Sequence, residues 1–337
     1  MFRNALIAAT ALACTVSAAR AQSAQEFYKG KQLRLIVGHE VSNDYDIGAR
    51  LLAKYLPKHV PGQPTIIVQN MLGGASIAAA NYVYGQAPRD GTVIGTFSRN
   101  LPSQKLMGQA NITADPRRFN WLGATSFPGR ICTSWTTSPV KTVIDLFTQE
   151  LIVGGAGAGS SLSILPTVFN HVLGTKFRLV EGYKGTQDAL LAVERGELQG
   201  VCASFGQFRN HDRLFHEGKL RILFRAEEAA MPEIPNAPSI YDQAKTEDQR
   251  QFMRFVFSST EFGRPYVLPP EVPKDRVEAI RRAMVETVQD PDLVAEATKI
   301  RLDMSFRPPA DLERLIAKLY ETPPDVVEAA RQLVPNP

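Results

Sequence analysis

Leu33-Arg34-Leu35-Ile36-Val37, then Gly38, and a few residues later Asp46-Ile47-Gly48-Ala49-Arg50-Leu51-Leu52-Ala53-Lys54-Tyr55-Leu56, is the stretch on which the architecture turns. The first run is apolar apart from one arginine and short, as a buried strand should be. In the second, Ile47, Leu51 and Tyr55 recur at helical spacing beside Leu52 and Leu56, and Asp46 stands near the helix start. The same unit comes again: Thr65 to Gln69 reads as strand and Ser76 to Tyr84 as helix. Asp90-Gly91 is a turn signal, and Thr92 to Phe97 reads as a third strand. Strands alternating with helices imply an α/β fold whose mainly parallel sheet is covered on both faces.

A second series starts near Trp121. Ile131 to Trp135, Leu151 to Val153, Phe177 to Val180, Gly200 to Ala203 and Leu220 to Phe224 are expected strands, with helices over Ser161 to Val172 and Thr186 to Arg195. The Pro-rich stretch from Met231 to Pro238 can be neither regular helix nor central strand, and reads as a connector returning toward the first series. Beyond Pro269-Pro270, Val277, Ile280, Met284 and Val288 mark one face of a helix over Lys274 to Val288. Two shorter helices are expected near Asp311 to Leu319 and Asp325 to Leu333. A chain of 337 residues suits two domains of common size.

Hydrophobic residues make up 44% and charged residues 21%, which fits a globular chain. A formal charge of +4, with Lys and Arg dispersed, excludes an electrostatic nucleic-acid binder. Met1-Phe2-Arg3-Asn4 is short and basic, Ala5 to Ala19 is apolar or small, and Ala19-Arg20-Ala21 fits a signal-peptidase site. The run is shorter than the roughly 20 residues of a spanning helix. Residues 1–21 are therefore read as a cleaved signal peptide and the mature chain as periplasmic. Cys14 has Ala11 three residues before it, where a lipoprotein signal wants Leu, so it is read as part of the apolar run. Cleavage leaves Cys132 and Cys202, a pair that an oxidising compartment can join, or two buried thiols. Both fall on expected strands of one parallel sheet.

Gly154-Gly155-Ala156-Gly157-Ala158-Gly159-Ser160-Ser161 lies between a strand and a helix, where backbone N–H groups can converge on an anion. The plainer reading is a Gly-rich turn with Ser160 or Ser161 as N-cap. Gly155-x-Gly157 with Glu181 imitates a dinucleotide fingerprint, but Ser160 replaces its third glycine. Gly74-Ala75-Ser76-Ile77-Ala78 lacks the closing glycine of a nucleophile elbow. His39-Glu40 lacks a zincin's second histidine, and His211 and His216, five apart, lie on different helix faces. No catalytic or metal constellation emerges.

Taken together, these stretches resemble the Bug-type substrate-binding proteins of tripartite tricarboxylate transporters. The resemblance runs through Lys31-Gln32-Leu33-Arg34-Leu35-Ile36-Val37-Gly38, Tyr45-Asp46-Ile47-Gly48-Ala49-Arg50, and Ile67-Val68-Gln69-Asn70-Met71. It continues in Ala87-Pro88-Arg89-Asp90-Gly91-Thr92-Val93-Ile94-Gly95, Gly157-Ala158-Gly159-Ser160-Ser161, Gly182-Tyr183-Lys184-Gly185 and Arg264-Pro265-Tyr266-Val267-Leu268-Pro269-Pro270. It implies a type II periplasmic-binding-protein fold: two lobes, each with a mainly parallel sheet flanked by helices, joined by crossover strands. Residues 22–124 with 251–337 are assigned to lobe 1 and 125–250 to lobe 2.

The resemblance further implies a monomer that holds a small organic acid, di- or tricarboxylic or aromatic, between its lobes. The acid would pass to integral-membrane transporter subunits, with no cofactor, metal or chemistry. The binding component of a sensor system is the alternative, and a periplasmic nucleotide-cofactor enzyme a more distant one. Carried over residue by residue, the ligand site is expected at His39, Glu40, Val41, Ser42, Asn43, Asp44 and Tyr45, then at Ser98, Arg99 and Asn100. From lobe 2 it would take Arg130, Gly159, Ser160, Ser161, Tyr183, Lys184, Ser204 and Phe205. Where the family usually has glycines, this chain has Ser42-Asn43-Asp44, and Glu40 and Asp44 would repel an anion unless paired with Arg99, Arg130 or Lys184. An uncharged or cationic ligand is the alternative that this departure raises.

Overall fold

The computed structural model describes residues 23–333 apart from 127, 128, 158, 159, 229 and 232. The expected signal peptide and Gly159 lie outside the described residues. Eleven strands are described: β1 Gln32–Val37, β2 Thr65–Asn70, β3 Val93–Thr96, β4 Asn120–Thr125, β5 Arg130–Trp135, β6 Leu151–Gly155, β7 Phe177–Glu181, β8 Gly200–Ser204, β9 Leu220–Arg225, β10 Arg264–Leu268 and β11 Phe306–Arg307. They form two sheets, ordered β11-β4-β10-β3-β1-β2 and β7-β6-β8-β5-β9.

The two sheets follow one plan. β1 is parallel to β2 and β3, and β6 is parallel to β7 and β8. In each sheet, one antiparallel strand is wedged in: β10 between β3 and β4, and β5 between β8 and β9. Each wedged strand is the first that the chain forms after crossing from the other sheet. This is the type II arrangement, two α/β lobes joined by crossovers. It corrects one expectation, since Cys132 and Cys202 do not sit on parallel strands. They face each other across the antiparallel β5–β8 ladder, and their Cα atoms are 4.0 Å apart in a disulfide.

β1 shows why this sequence makes a doubly covered sheet. Leu33, Leu35 and Val37 face one way, into a core with Leu51, Leu52 and Tyr55 of the Asp44–Tyr55 helix and Val277, Ile280 and Met284 of the Lys274–Val288 helix. Ile36 faces the other way, into a second core with Ile77, Ala80 and Val83. A side-chain period of two buried on both faces leaves no polar edge to the pattern.

That second core runs across both lobes. Trp121 on β4 lies 6.0 Å from Phe262, while Phe257 packs 5.4 Å from Phe169, which in turn meets Phe224 on β9 at 5.3 Å. Phe257 and Phe262 belong to the Glu247–Glu261 helix and its end, where Phe252, Met253, Phe255 and Phe257 form a buried apolar cluster within an otherwise polar sequence. The Pro-rich connector does not itself lead back to lobe 1: Arg225 and Ser239 form a parallel bridge beside β9, and the Glu247–Glu261 helix makes the return. No helix among the described residues is long and apolar enough to cross a membrane.

Candidate functional site

A cavity of about 1330 Å³ opens where the two sheets' ends meet. Lobe 1 supplies Ser42 through Tyr45, Ile47 and Arg99, and the two crossover segments supply Ser126 and Arg264. Ser204, Gly206 and Gln207 follow β8 in lobe 2, and the far wall is the 298–304 segment, from Thr298 to Met304. Ser126, Arg264 and the 298–304 wall were not among the residues expected from the sequence. Arg264 opens a stretch that carried the family resemblance, but nothing local in that stretch aims its side chain.

The loop before the Asp44–Tyr55 helix is held from below. Asp46 is 1% exposed and accepts from the Ser42 N–H (2.9 Å), Arg50 Nε (2.9 Å) and Asn70 Nδ2 (2.8 Å). Burial works to raise its carboxyl, but the bonds from Arg50, Ser42 and Asn70 prevail and hold it below its ordinary value. Asn70 also donates to the His39 carbonyl at 2.9 Å, so β2 fixes the far side of the same loop. Ser42 sits at φ 68°, a left-handed conformation that suits glycine and that a serine adopts at a cost. Asn43 caps the helix, its side chain accepting from the Tyr45 N–H at 3.0 Å.

His39 stacks on Tyr45 with ring centroids 4.0 Å apart, and the Tyr45 hydroxyl accepts from the Arg99 N–H at 3.2 Å. Burial, then the Arg99 charge, lowers the His39 pKa, so its imidazole is neutral at neutral pH. Ser98 accepts from the Asn100 N–H at 3.2 Å and so shapes the turn that carries Arg99. Among the described residues, Arg99 has no carboxylate within ion-pair distance. Glu40 and Val41 stand outside the cavity lining, with Val41 64% exposed.

Arg264 is the buried charge of the cavity, only 7% exposed. Its guanidinium donates to Ser126 Oγ (2.9 Å) and to the Asp44 carbonyl (3.3 Å), and lies 3.8 Å from the Asp44 carboxylate. Asp44 itself is 75% exposed.

Of the lobe 2 residues expected at the ligand, Ser204 reaches this cavity and the other described ones are held elsewhere. Arg130 is committed to the interior: its Nε pairs with Glu227 at 3.3 Å, its N–H donates to the same carboxylate at 2.8 Å, and its guanidinium lies over Phe257 at 4.5 Å. Ser160 caps the Ser161–Leu173 helix by accepting from the Leu162 N–H, and Ser161 opens that helix. Neither lines the cavity. Glu181 accepts from the Gly157 N–H at 2.8 Å and packs so closely on Gly155 that an added Cβ would lie 2.5 Å from its Oε2. The Gly-rich loop thus presents one of its amides to the chain's own carboxylate. Tyr183 packs against Gly154, and Lys184 donates its N–H to Asp188 at the next helix start. Ser204 lines the cavity, whereas Phe205 packs against the core around Ile131, Val201 and Ala203, its N–H donating to the Gly129 carbonyl.

Three of the solved structures similar to this chain are as follows. A TctC solute-binding protein from Polaromonas, solved without ligand, is 17% identical over 91% of this chain and 99% of that one, with a TM-score of 0.68. A protein of R. palustris solved with adipate is 18% identical over 90% and 97%, with a TM-score of 0.53. The periplasmic binding protein BugD is 15% identical over 91% and 98%, with a TM-score of 0.50. The chain has the fold of a solute-binding protein. No family model matches it, and no curated protein does. In a solute-binding fold, a cavity between lobes is where a ligand can touch both at once, and this cavity draws residues from both sheets and both crossovers.

Proposed function

We propose that this chain is an exported solute-binding protein of the tripartite tricarboxylate transporter type. It captures a small organic acid between its lobes and delivers it to membrane subunits, without making or breaking a bond. The observation that carries the reading is the buried guanidinium of Arg264, set by the return crossover at the floor of the interlobe cavity beside Ser126. A planar fork of donors in a partly dehydrated cleft suits a carboxylate. Arg99 adds a second cation, while Ile47, Ile300, Leu302 and Met304 offer an apolar flank for a carbon skeleton.

The adipate in the R. palustris structure supports an acid of this size. Binding across both lobes would favour the closed form by contacts made only there. The start of the mature chain at Gln22 belongs to the same proposal. A thermal-shift screen of adipate, succinate, glutarate, aromatic acids, amides and amines tests it. An acid at about a hundred times its dissociation constant should add about 2.7 kcal/mol of stability. Stabilisation by amines or amides with none by any acid would overturn the reading.

A further inference from the structure

We propose that a second cavity, of about 580 Å³, binds an organic ammonium ion with a short carbon chain, its charge held by Glu261. The cavity lies between the Glu247–Glu261 helix, the Pro309–Tyr320 helix and the end of β9, and shares no lining residue with the first. Glu227 and Glu228 reach it from just beyond β9 in one sheet and Arg307 from β11 in the other, so an occupant touches both lobes.

Five carboxylates line the cavity against three cations, Arg254, Arg307 and Lys318, and Arg130 adds a fourth by pairing with Glu227. One negative charge is left in excess. Arg254 clasps Glu228 at 2.6 and 3.0 Å and Glu247 at 2.5 Å, and Lys318 stands 3.9 Å from Glu228. Glu321 is exposed to solvent. Glu261 differs from all of these. Its nearest cation is Arg307 at 4.0 Å, and among the described residues no hydrogen bond reaches its carboxylate, although the side chain is only 29% exposed. Burial raises its pKa against the charges of Arg307, Arg130 and Lys318, as for a carboxylate short of a partner.

The surroundings favour a donor that brings its own charge. Glu261 ends its helix, whose last turn has no basic residue, so the helix dipole adds to the pull on a cation. One turn earlier, Ser258 is 7% exposed and donates its hydroxyl to the Phe255 carbonyl at 2.7 Å, which leaves the oxygen's lone pairs to a donor from the cavity. An ammonium has three N–H donors and no acceptor, so it can serve both oxygens. Phe255, Leu315 and Leu319 supply an apolar floor for its carbon chain.

Isothermal titration calorimetry of the mature chain with hexylamine and 1-hexanol, matched in their carbon chains, tests this. The amine should bind at least about tenfold more tightly than the alcohol. Glu261→Gln, which keeps the shape and removes the charge, should abolish that preference, and Ser258→Ala should weaken amine binding about tenfold. Asp44→Asn, in the first cavity, should leave the dissociation constant of the amine unchanged. An alcohol that binds as tightly as the amine overturns the proposal, and so does a preference that survives Glu261→Gln. Loss of amine binding in Asp44→Asn would move the ammonium to the first cavity and overturns it too. No detectable binding of hexylamine overturns it while leaving the acid-binding reading untouched.

Discussion

Arg264 Nη2 donates to Ser126 Oγ at 2.9 Å, which ties together the two segments by which the chain passes between its lobes. The same guanidinium reaches the Asp44 carbonyl at the start of the Asp44–Tyr55 helix. One buried side chain therefore joins both crossovers and the first-lobe loop at the floor of the cavity.

Replacing Arg264 by Lys should weaken binding of the preferred acid at least tenfold. Lysine keeps the charge but cannot make the forked contacts, and a hydrogen bond to a charged group contributes about 1.5–3 kcal/mol. Calorimetry measures it, with melting temperature as the check on folding. Ser160→Ala serves as the contrast. It removes an N-cap that costs about 1 kcal/mol of stability to lose, and it should leave the dissociation constant alone. An unchanged affinity in Arg264→Lys would mean that the ligand lies in another cleft.

Ser42→Gly should raise the melting temperature slightly and leave the fold intact. Ser42 holds φ 68° because the Asp46 carboxylate grips its N–H at 2.9 Å and the chain must turn into the helix there. Relief of the left-handed conformation is worth about 1–2 kcal/mol, against about 0.5–1 kcal/mol lost to the freer unfolded chain. A fall in melting temperature would show that the serine hydroxyl does more than the backbone requires.

How far these features could be read from the sequence follows from how local each cause is. β1 and its helix were legible because one strand's apolar period and one helix's stripe bury against each other. The wedging of β5 and β10 was not, since strand direction depends on where the chain crosses rather than on the pattern within the strand. The Glu247–Glu261 helix did leave a signal, the Thr246–Gln249 capping box, but its mostly polar sequence hides the buried Phe255 and Phe257. Ser42, Asn43, Asp44, Tyr45, Arg99 and Ser204 stand at the cavity and lie in stretches the sequence pointed to. Arg264 and the 298–304 wall arrive there only through tertiary placement. The Ser160 Oγ accepts from the Leu162 N–H as an N-cap, the plainer of the two readings its loop allowed, and its O–H remains a donor for the other.

The Cys132–Cys202 bridge should leave no titratable thiol in the unreduced, denatured mature protein. Its ends are 70 residues apart in sequence. Closing a loop of that length stabilises by about 4 kcal/mol in the chain-entropy model. Reduction should lower the melting temperature by several degrees, and Cys132→Ala with Cys202→Ala should reproduce that loss. Two reactive thiols in the unreduced protein would remove the bridge from the account.

The second cavity, of about 580 Å³, lies between the Glu247–Glu261 helix, the end of β9 and the Pro309–Tyr320 helix, and two carboxyls there make stability depend on pH. Burial pushes Glu227 above its ordinary value of 4.5 against the opposing charge of Arg130. Burial likewise raises Glu261, opposed by Arg307, Arg130 and Lys318. A carboxyl whose pKa is raised on folding binds more protons folded than unfolded. Its contribution is therefore fully present below 4.5 and is lost as pH rises through the raised value. Asp46 and Asp290 work the other way: their carboxyls are depressed, Asp290 to about 2, so their contribution disappears only in stronger acid. Between about pH 4.5 and 7, the buried glutamates should then lower stability as pH rises, while His39, whose pKa is depressed from 6.5, works against them. Glu261→Gln, neutral throughout, should gain melting temperature relative to wild type as pH rises across that window. Parallel melting curves for the two proteins from pH 5 to 7.5 would show that Glu261 is ionised at no cost in the folded chain.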